Sequence, residues 1–329
     1  MSRIVLLVMG FFAFSTQASA QSVCVFDPAG KSGDYYRMVN DFVLEASSWG
    51  VDAKVKHYTN EVTAVKDYRA GKCDAVVATG VRLQRFNNFP TTIEAIGALG
   101  NYTILRKMLK QLAKSKGAAK KMKKGDHETV GVIPIGAVYL FVRDRNNSTV
   151  AALSGKEIAT LDYDQPSLAM VERVGAVKVP VDLGTLGPKF NNGEVDACYV
   201  SAPAYQPFEL YKGLGSRGGI LKLPLAQATL QVLARHEKFP ADFGVKARAY
   251  FYEQAKSAIA IAKKAESKIP AKYWVKIPSA DKPGFDKLFR ETRNELRDSR
   301  AYHKSTLKVM YKLRCKANPN TIECIEGHE

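Results

Sequence analysis

The chain has 329 residues, 46% of them hydrophobic and 25% charged, with a formal net charge of +17. That is globular composition, long enough for two lobes with a core each. The positive balance raises nucleic acid or an anionic surface as partners, but the N-terminus points to export, which argues against nucleic acid.

Arg3 supplies a short basic region, residues 4–14 are apolar apart from Gly10, and Ala18-Ser19-Ala20 forms a small-x-small cleavage site. This predicts a signal peptide over residues 1–20, a mature chain beginning at Gln21, and a periplasmic location. The apolar run is too short to span a bilayer, and no later stretch approaches the roughly twenty residues required. Cys24 does not sit in a lipobox.

Further along, apolar runs and amphipathic periods predict a strand at 22–26, a helix at 34–48, a strand at 51–58, a helix at 61–70 and a strand at 75–78. Between residues 106 and 124 lie nine lysines and arginines with no acid among them. That stretch is expected to form a solvated surface helix. The segment 128–143 reads as a strand crossing from one lobe to the other. The next elements are a strand at 157–161, a helix at 166–174, a strand at 177–181, a helix at 183–191 and a strand at 195–200. Strands at 220–224 and 230–235 form the return crossing, and a helical tail punctuated by Pro270, Pro278 and Pro283 follows.

The strongest internal signal is an echo. DYRAGKCDAVVATG (67–80) and KFNNGEVDACYVSAP (189–203) each carry a helix end, a stopping glycine, two residues, Asp-Ala, an apolar strand and small residues. Strand, helix, strand, helix, strand, twice over, predicts an α/β fold like a periplasmic binding protein. Each of its two lobes has a parallel sheet flanked by helices, joined by crossing hinge strands, with a helical C-terminal region. The expected division is 21–137 for lobe 1 with a return segment near 220–242, 138–219 for lobe 2, and 243–329 for helices packing across both.

Five cysteines in an oxidising compartment permit disulfides. Cys315 and Cys324 flank a turn-rich stretch and are expected to pair. Cys24 and Cys73 fall on strands placed side by side and are the second expected pair, leaving Cys198 buried and free. There is no CxxC spacing.

In open parallel sheets, ligands bind beyond the carboxyl ends of strands. Four loops qualify: 27–34, 79–82, 162–165 and 199–203. They nominate Asp27, Ser32, Thr79, Arg82, Tyr163, Tyr199 and Ser201 as ligand-binding residues. Asp162 beside Asp27 tilts the local charge negative, and Ser32, Asp34 and Asp164 also read as helix caps. Gly30-Lys31-Ser32 is similar to the end of a phosphate-binding loop, but Val25 stands where that motif needs glycine. HExxH and GxSxG are absent from the sequence. The expectation is a binding protein, not an enzyme, with no catalytic residues, metal or cofactor.

GKCDAVVATG, SGKEIATLDYDQPSLAMVERVGA, FNNGEVDACYVSAPAY and LQVLARHEKFPADFGVKARAYFYEQA resemble the solute-binding subunits of TRAP transporters. Further segments (CVFDPAGKSGD, VIPIGAVYLFV, LDYD, KFNNG, ELYKGLG and IPAKYW) are similar to an AdeT-type subgroup that carries an RND-efflux-associated label. The resemblance implies a DctP-like cleft protein that captures a small molecule for membrane transporter components and acts as a monomer. It also implies an arginine on the first strand of lobe 2, clamping a ligand carboxylate. Ala159 stands in its place, so the usual organic-acid clamp is missing; with Asp27 and Asp162 this tilts the expectation towards a neutral or cationic ligand, while Arg82 pulls the other way. A rival reading is an envelope interaction or efflux-associated protein working through its basic surface.

Overall fold

The five-element unit expected from the echo occurs twice in the computed structural model, which describes residues 20–327. The signal segment expected over residues 1–20 lies outside the described residues except for Ala20. The first unit is β1 (Gln21–Phe26), α1 (Asp34–Ser47), β2 (Ala53–Tyr58), α2 (Glu61–Arg69) and β3 (Ala75–Thr79). Then come α3 (Gly80–Leu83), α4 (Asn88–Thr91), α5 (Tyr102–Lys114), α6 (Lys116–Lys121), β4 (Lys123–Lys124) and the long strand β5 (His127–Val142). The second unit is β6 (Glu157–Leu161), α7 (Gln165–Arg173), β7 (Val177–Val181), α8 (Leu186–Asn192) and β8 (Ala197–Ser201). It is followed by α9 (Tyr211–Leu214), β9 (Gly219–Leu221), β10 (Ala226–Arg235), α10 (Phe243–Ser267), β11 (Trp274–Val275), α11 (Lys282–Asp298), α12 (Lys304–Ala317) and α13 (Ile322–Glu326).

The main path of the sheet runs β2-β1-β3-β10-β5-β8-β6-β7. β1 pairs parallel with β2 and β3, and β6 pairs parallel with β7 and β8. β10 and β5 lie antiparallel between these units and to each other, so two parallel halves are joined by two crossing strands in one sheet. The stopping glycines of the echo act through their backbone: Gly71 and Gly193 have φ of +75° and +83°, a left-handed turn that side chains disfavour. Each then feeds a buried strand.

The crossing carries an irregularity that matters for the site. Gly136 pairs with Ala228 and Pro134 with Thr229, so Ile135 has no partner and bulges out of the ladder. Pro134 cannot donate a ladder hydrogen bond, and Gly136 has φ of +122°. α10 packs across β5; Gly131 lets it approach, since a Cβ there would sit 2.3 Å from the Phe251 ring.

Cys24–Cys73 joins β1 to the start of β3 with Cα atoms 5.9 Å apart, and Cys315–Cys324 joins α12 to α13 at 5.5 Å. Cys198 is buried and free. The basic stretch departs from expectation. It forms two helices rather than one, because Ser115 leaves the helical conformation and its Oγ caps α6 by accepting from Ala118 N at 3.4 Å. No helix among the described residues is long and apolar enough to cross a membrane.

Candidate functional site

The space between the halves is divided into two chambers. The inner one has a volume of about 510 Å³ and the outer about 530 Å³, and they share a wall of Phe26, Pro28, Leu183, Pro207 and Phe208. The inner chamber lies against the bulge: Ile135, Ala228 and Thr229 all line it. Its walls are mainly apolar, including Ile96, Val138, Leu161, Val200 and Leu230.

Three acids line its depth, each held by a defined element. Asp27 follows β1 and is 2% exposed; its oxygens accept from Ala29 N at 2.9 Å and Tyr36 N at 3.0 Å. Tyr36 is in the first turn of α1, so Asp27 caps that helix from outside it. Gly33 makes this possible, since a Cβ there would lie 2.0 Å from Asp27 Oδ2. Asp164 caps α7 by accepting from Ser167 N at 3.1 Å and Oγ at 2.5 Å, and also accepts from Tyr199 OH at 3.3 Å. Burial raises its carboxyl above the usual range. Glu94 accepts from Thr229 N and Oγ1, both at 2.6 Å, and burial pushes its carboxyl up to about 8 against those two bonds. The lysines of the lining, Lys264 and Lys268, are exposed near the end of α10. No cation therefore faces the buried acids from among the lining residues.

The wall of the outer chamber contains a second carboxylate hub. Glu61 begins α2, is 3% exposed, and accepts from Thr79 N at 2.7 Å and Thr79 Oγ1 at 2.6 Å. Its other oxygen takes Arg82 Nε and, from the opposite half, Tyr163 OH, both at 3.2 Å. The Arg82 guanidinium lies 3.2 Å from the Tyr163 ring centroid, a stacked cation–π contact. Glu61, Arg82 and Tyr163 thus tie the two halves together.

The sequence-nominated residues fall into different places. Asp27, Thr79, Tyr199 and Ser201 line the inner chamber, and Arg82 lines the outer. Tyr163 packs on Arg82 and lines neither. Ser32 is exposed and donates to Ala29 O at 2.8 Å, because the loop turns its side chain back on itself. Ser32 and Asp34 do not cap α1, whose N-cap residue is Gly33, whereas Asp164 does cap α7. Asp162 is exposed and outside the chamber lining. Ala159, in the position the resemblance gives to an arginine, is fully buried among apolar side chains.

Sequence reasoning missed Glu61, Glu94 and the bulge. Glu61 looks like any acid in a first helical turn. Glu94 lies in a stretch without periodicity, and only the Pro-Ile-Gly at 134–136 inside an apolar run could have signalled the bulge. Among the described residues, no cluster of three or more His, Cys, Asp or Glu side chains could hold a metal ion.

Comparison with known proteins places these features. The model of the family described as "Solute-binding protein AdeT 1/2" matches residues 46–329. The chain is 40% identical over 305 residues to the "Probable solute-binding protein AdeT1" of Acinetobacter baumannii, covering 93% of this chain and all of that one. Among solved structures, a TRAP periplasmic solute-binding protein from Desulfovibrio salexigens with bound orotic acid superposes with a TM-score of 0.67. It shares 16% identity and covers 90% of this chain and 98% of its own. DctP7, a Bordetella pertussis extracytoplasmic solute receptor binding pyroglutamic acid, gives a TM-score of 0.70 at 14% identity, covering 89% and 99%. At such identities these two establish a shared fold.

Proposed function

The chain belongs to the AdeT 1/2 solute-binding protein family, and from that premise we propose that it captures a small neutral or cationic solute in its inner chamber. The observation that carries this reading is the chamber itself, about 510 Å³ of largely apolar space at the bulged crossing. It is lined by Asp27, Glu94 and Asp164 without a buried cation. A preformed apolar cavity with a few convergent polar groups suits a small molecule. An organic acid entering it would find no buried cation to answer its carboxylate. Ala159 offers no clamp in return.

In this reading residues 21–137 and 138–219 act as two lobes, with 220–242 returning to the first and 243–329 packing across both. Closure about β5 and β10 buries the solute, and the Glu61–Arg82–Tyr163 contact holds the closed form. The protein works in the periplasm after cleavage at residue 20. It delivers its solute as a monomer to membrane transporter components and carries out no chemistry on it.

A thermal-shift screen of the mature protein against amines, amino acids, neutral sugars, aminoglycosides and organic acids tests the ligand class. A ligand at a hundred times its Kd stabilises by about 2.7 kcal/mol, a shift of several degrees or less for a chain of this size. Amines or neutral solutes are expected to raise the melting temperature in a concentration-dependent way. Stabilisation by organic acids alone would overturn the assignment.

A further inference from the structure

The fold brings together two acid-free basic segments that lie far apart in the sequence. α5 and α6 contain seven of the nine cations between residues 106 and 124, with no acid in either helix. α12 carries Lys304, Lys308, Lys312, Arg314 and Lys316, again with no acid. α5 and α12 pack together through Leu105, Met108, Leu307 and Met310 in one apolar cluster. Lys121 Nζ donates to Ser305 Oγ at 2.9 Å, joining the end of α6 to the start of α12. After burial, which contributes most, the charges of Lys121 and Lys124 further lower the His303 imidazole at that junction. All of the lysines and arginines named on these helices are exposed except Arg314, which pairs with Glu323.

Few acids answer this charge. Lys114 reaches Glu253 at 3.3 Å, and Lys123, just past α6, reaches Glu128 at 3.4 Å. Among the described residues, the other exposed cations of α5, α6 and α12 have no carboxylate within ion-pair distance. The three helices themselves carry no large exposed apolar side chain, although α13, disulfide-linked to α12, exposes Ile322 and Ile325. The large exposed hydrophobic side chains are Leu44, Val62, Val177, Tyr211, Val245, Ile322 and Ile325, and none lies on these three helices. Protein partners are usually held by an apolar, aromatic-rich centre within a polar rim. A face of lysines without such a centre matches an array of phosphodiester headgroups, which attracts each cation without needing shape complementarity.

We propose that the α5–α6–α12 face docks the protein on an anionic phospholipid surface. The contact is electrostatic, without insertion, and is independent of what the inner chamber binds. It keeps a solute-loaded protein close to the bilayer while leaving it free to exchange.

Co-sedimentation of the mature protein with phosphatidylcholine vesicles, with and without phosphatidylglycerol, tests the proposal at low and physiological salt. Binding is expected only to phosphatidylglycerol-containing vesicles and is expected to weaken as salt rises. The triple variant Lys107→Glu, Lys110→Glu, Lys308→Glu, with unchanged circular dichroism and melting temperature, is expected to bind about a hundredfold more weakly. Equal binding to neutral vesicles overturns the proposal, as does a folded variant that binds as well as wild type. Absence of binding to phosphatidylglycerol vesicles at low salt also overturns it, and then leaves an acidic protein as the occupant of this face. None of these outcomes bears on the thermal-shift screen.

Discussion

Glu94→Gln is expected to flatten a loss of stability that the wild-type protein shows as pH rises from about 4.5 to about 8. Burial against the inner chamber pushes the Glu94 carboxyl up from its ordinary 4.5 to about 8. In that window the folded protein holds a proton that the unfolded chain has released. The folded state therefore binds more protons, and stability falls with rising pH. The contribution is fully present below 4.5 and lost as pH passes through the folded value. At about 1.4 kcal/mol per pH unit, the wild type loses on the order of 4 kcal/mol across the window through this one group. Glutamine cannot ionise, yet its side-chain oxygen can still accept from Thr229 N and Oγ1. Urea unfolding followed by circular dichroism at several pH values should give a steeper decline for wild type than for the variant. Parallel declines would mean that Glu94 ionises normally. The same carboxyl couples to ligand charge. A cation seated beside it favours the ionised form, so binding would release a proton below about pH 8 and amines would bind more tightly as pH rises. A neutral solute would show no such linkage.

Arg248→Met is expected to cost about 3–5 kcal/mol of stability, because it leaves a buried carboxylate without its partner. Arg248, on α10, and Glu128, on β5, have side chains 4% and 5% exposed and form an ion pair. Arg248 also donates to Thr129 O at 3.3 Å. The contact leaves no room at Gly244, where a Cβ would lie 2.2 Å from Glu128 Oε1. After the substitution only the half-exposed Lys123, 3.4 Å away, still answers the Glu128 charge. Adding Glu128→Leu removes the stranded charge and should recover most of the loss, since a buried pair and a well-packed apolar pair differ little. Urea midpoints of wild type, single and double variants check both parts. A single variant within about 1 kcal/mol of wild type would show that solvent reaches Glu128.

The repeated unit was legible because its punctuation is chemical. Gly71 and Gly193 stop helices by backbone conformation, and Asp-Ala then opens an apolar strand in each half; β6 and β7 span 157–161 and 177–181, the bounds expected from the sequence. The cysteine pairing followed from strand adjacency and a short turn. The inner chamber was only half legible. Loops at the carboxyl ends of strands pointed to Asp27, Thr79, Tyr199 and Ser201, but the orientation of a loop side chain depends on its backbone turn, as Ser32 shows. Tyr163, a nominated ligand contact, meets Arg82 and Glu61, residues some eighty to a hundred positions earlier in the chain, which no local pattern shows. Glu94 gains its character from burial by distant elements, which no local pattern encodes. The meeting of α5 with α12 is likewise a product of tertiary packing, since each helix alone reads as a solvated basic face.

In the proposed function the solute sits in the inner chamber. Ala228 is half-exposed on β10 beside the bulge and lines that chamber, so Ala228→Trp places an indole in the proposed binding volume. The most direct measurement is calorimetric titration of the solute found by thermal shift into wild type and into this variant, with folding checked by circular dichroism. One-to-one binding by wild type and loss of about a hundredfold or more in affinity in the variant, about 2.7 kcal/mol, is the predicted result. Undiminished binding by a folded Ala228→Trp protein would contradict the account and move the site out of the inner chamber.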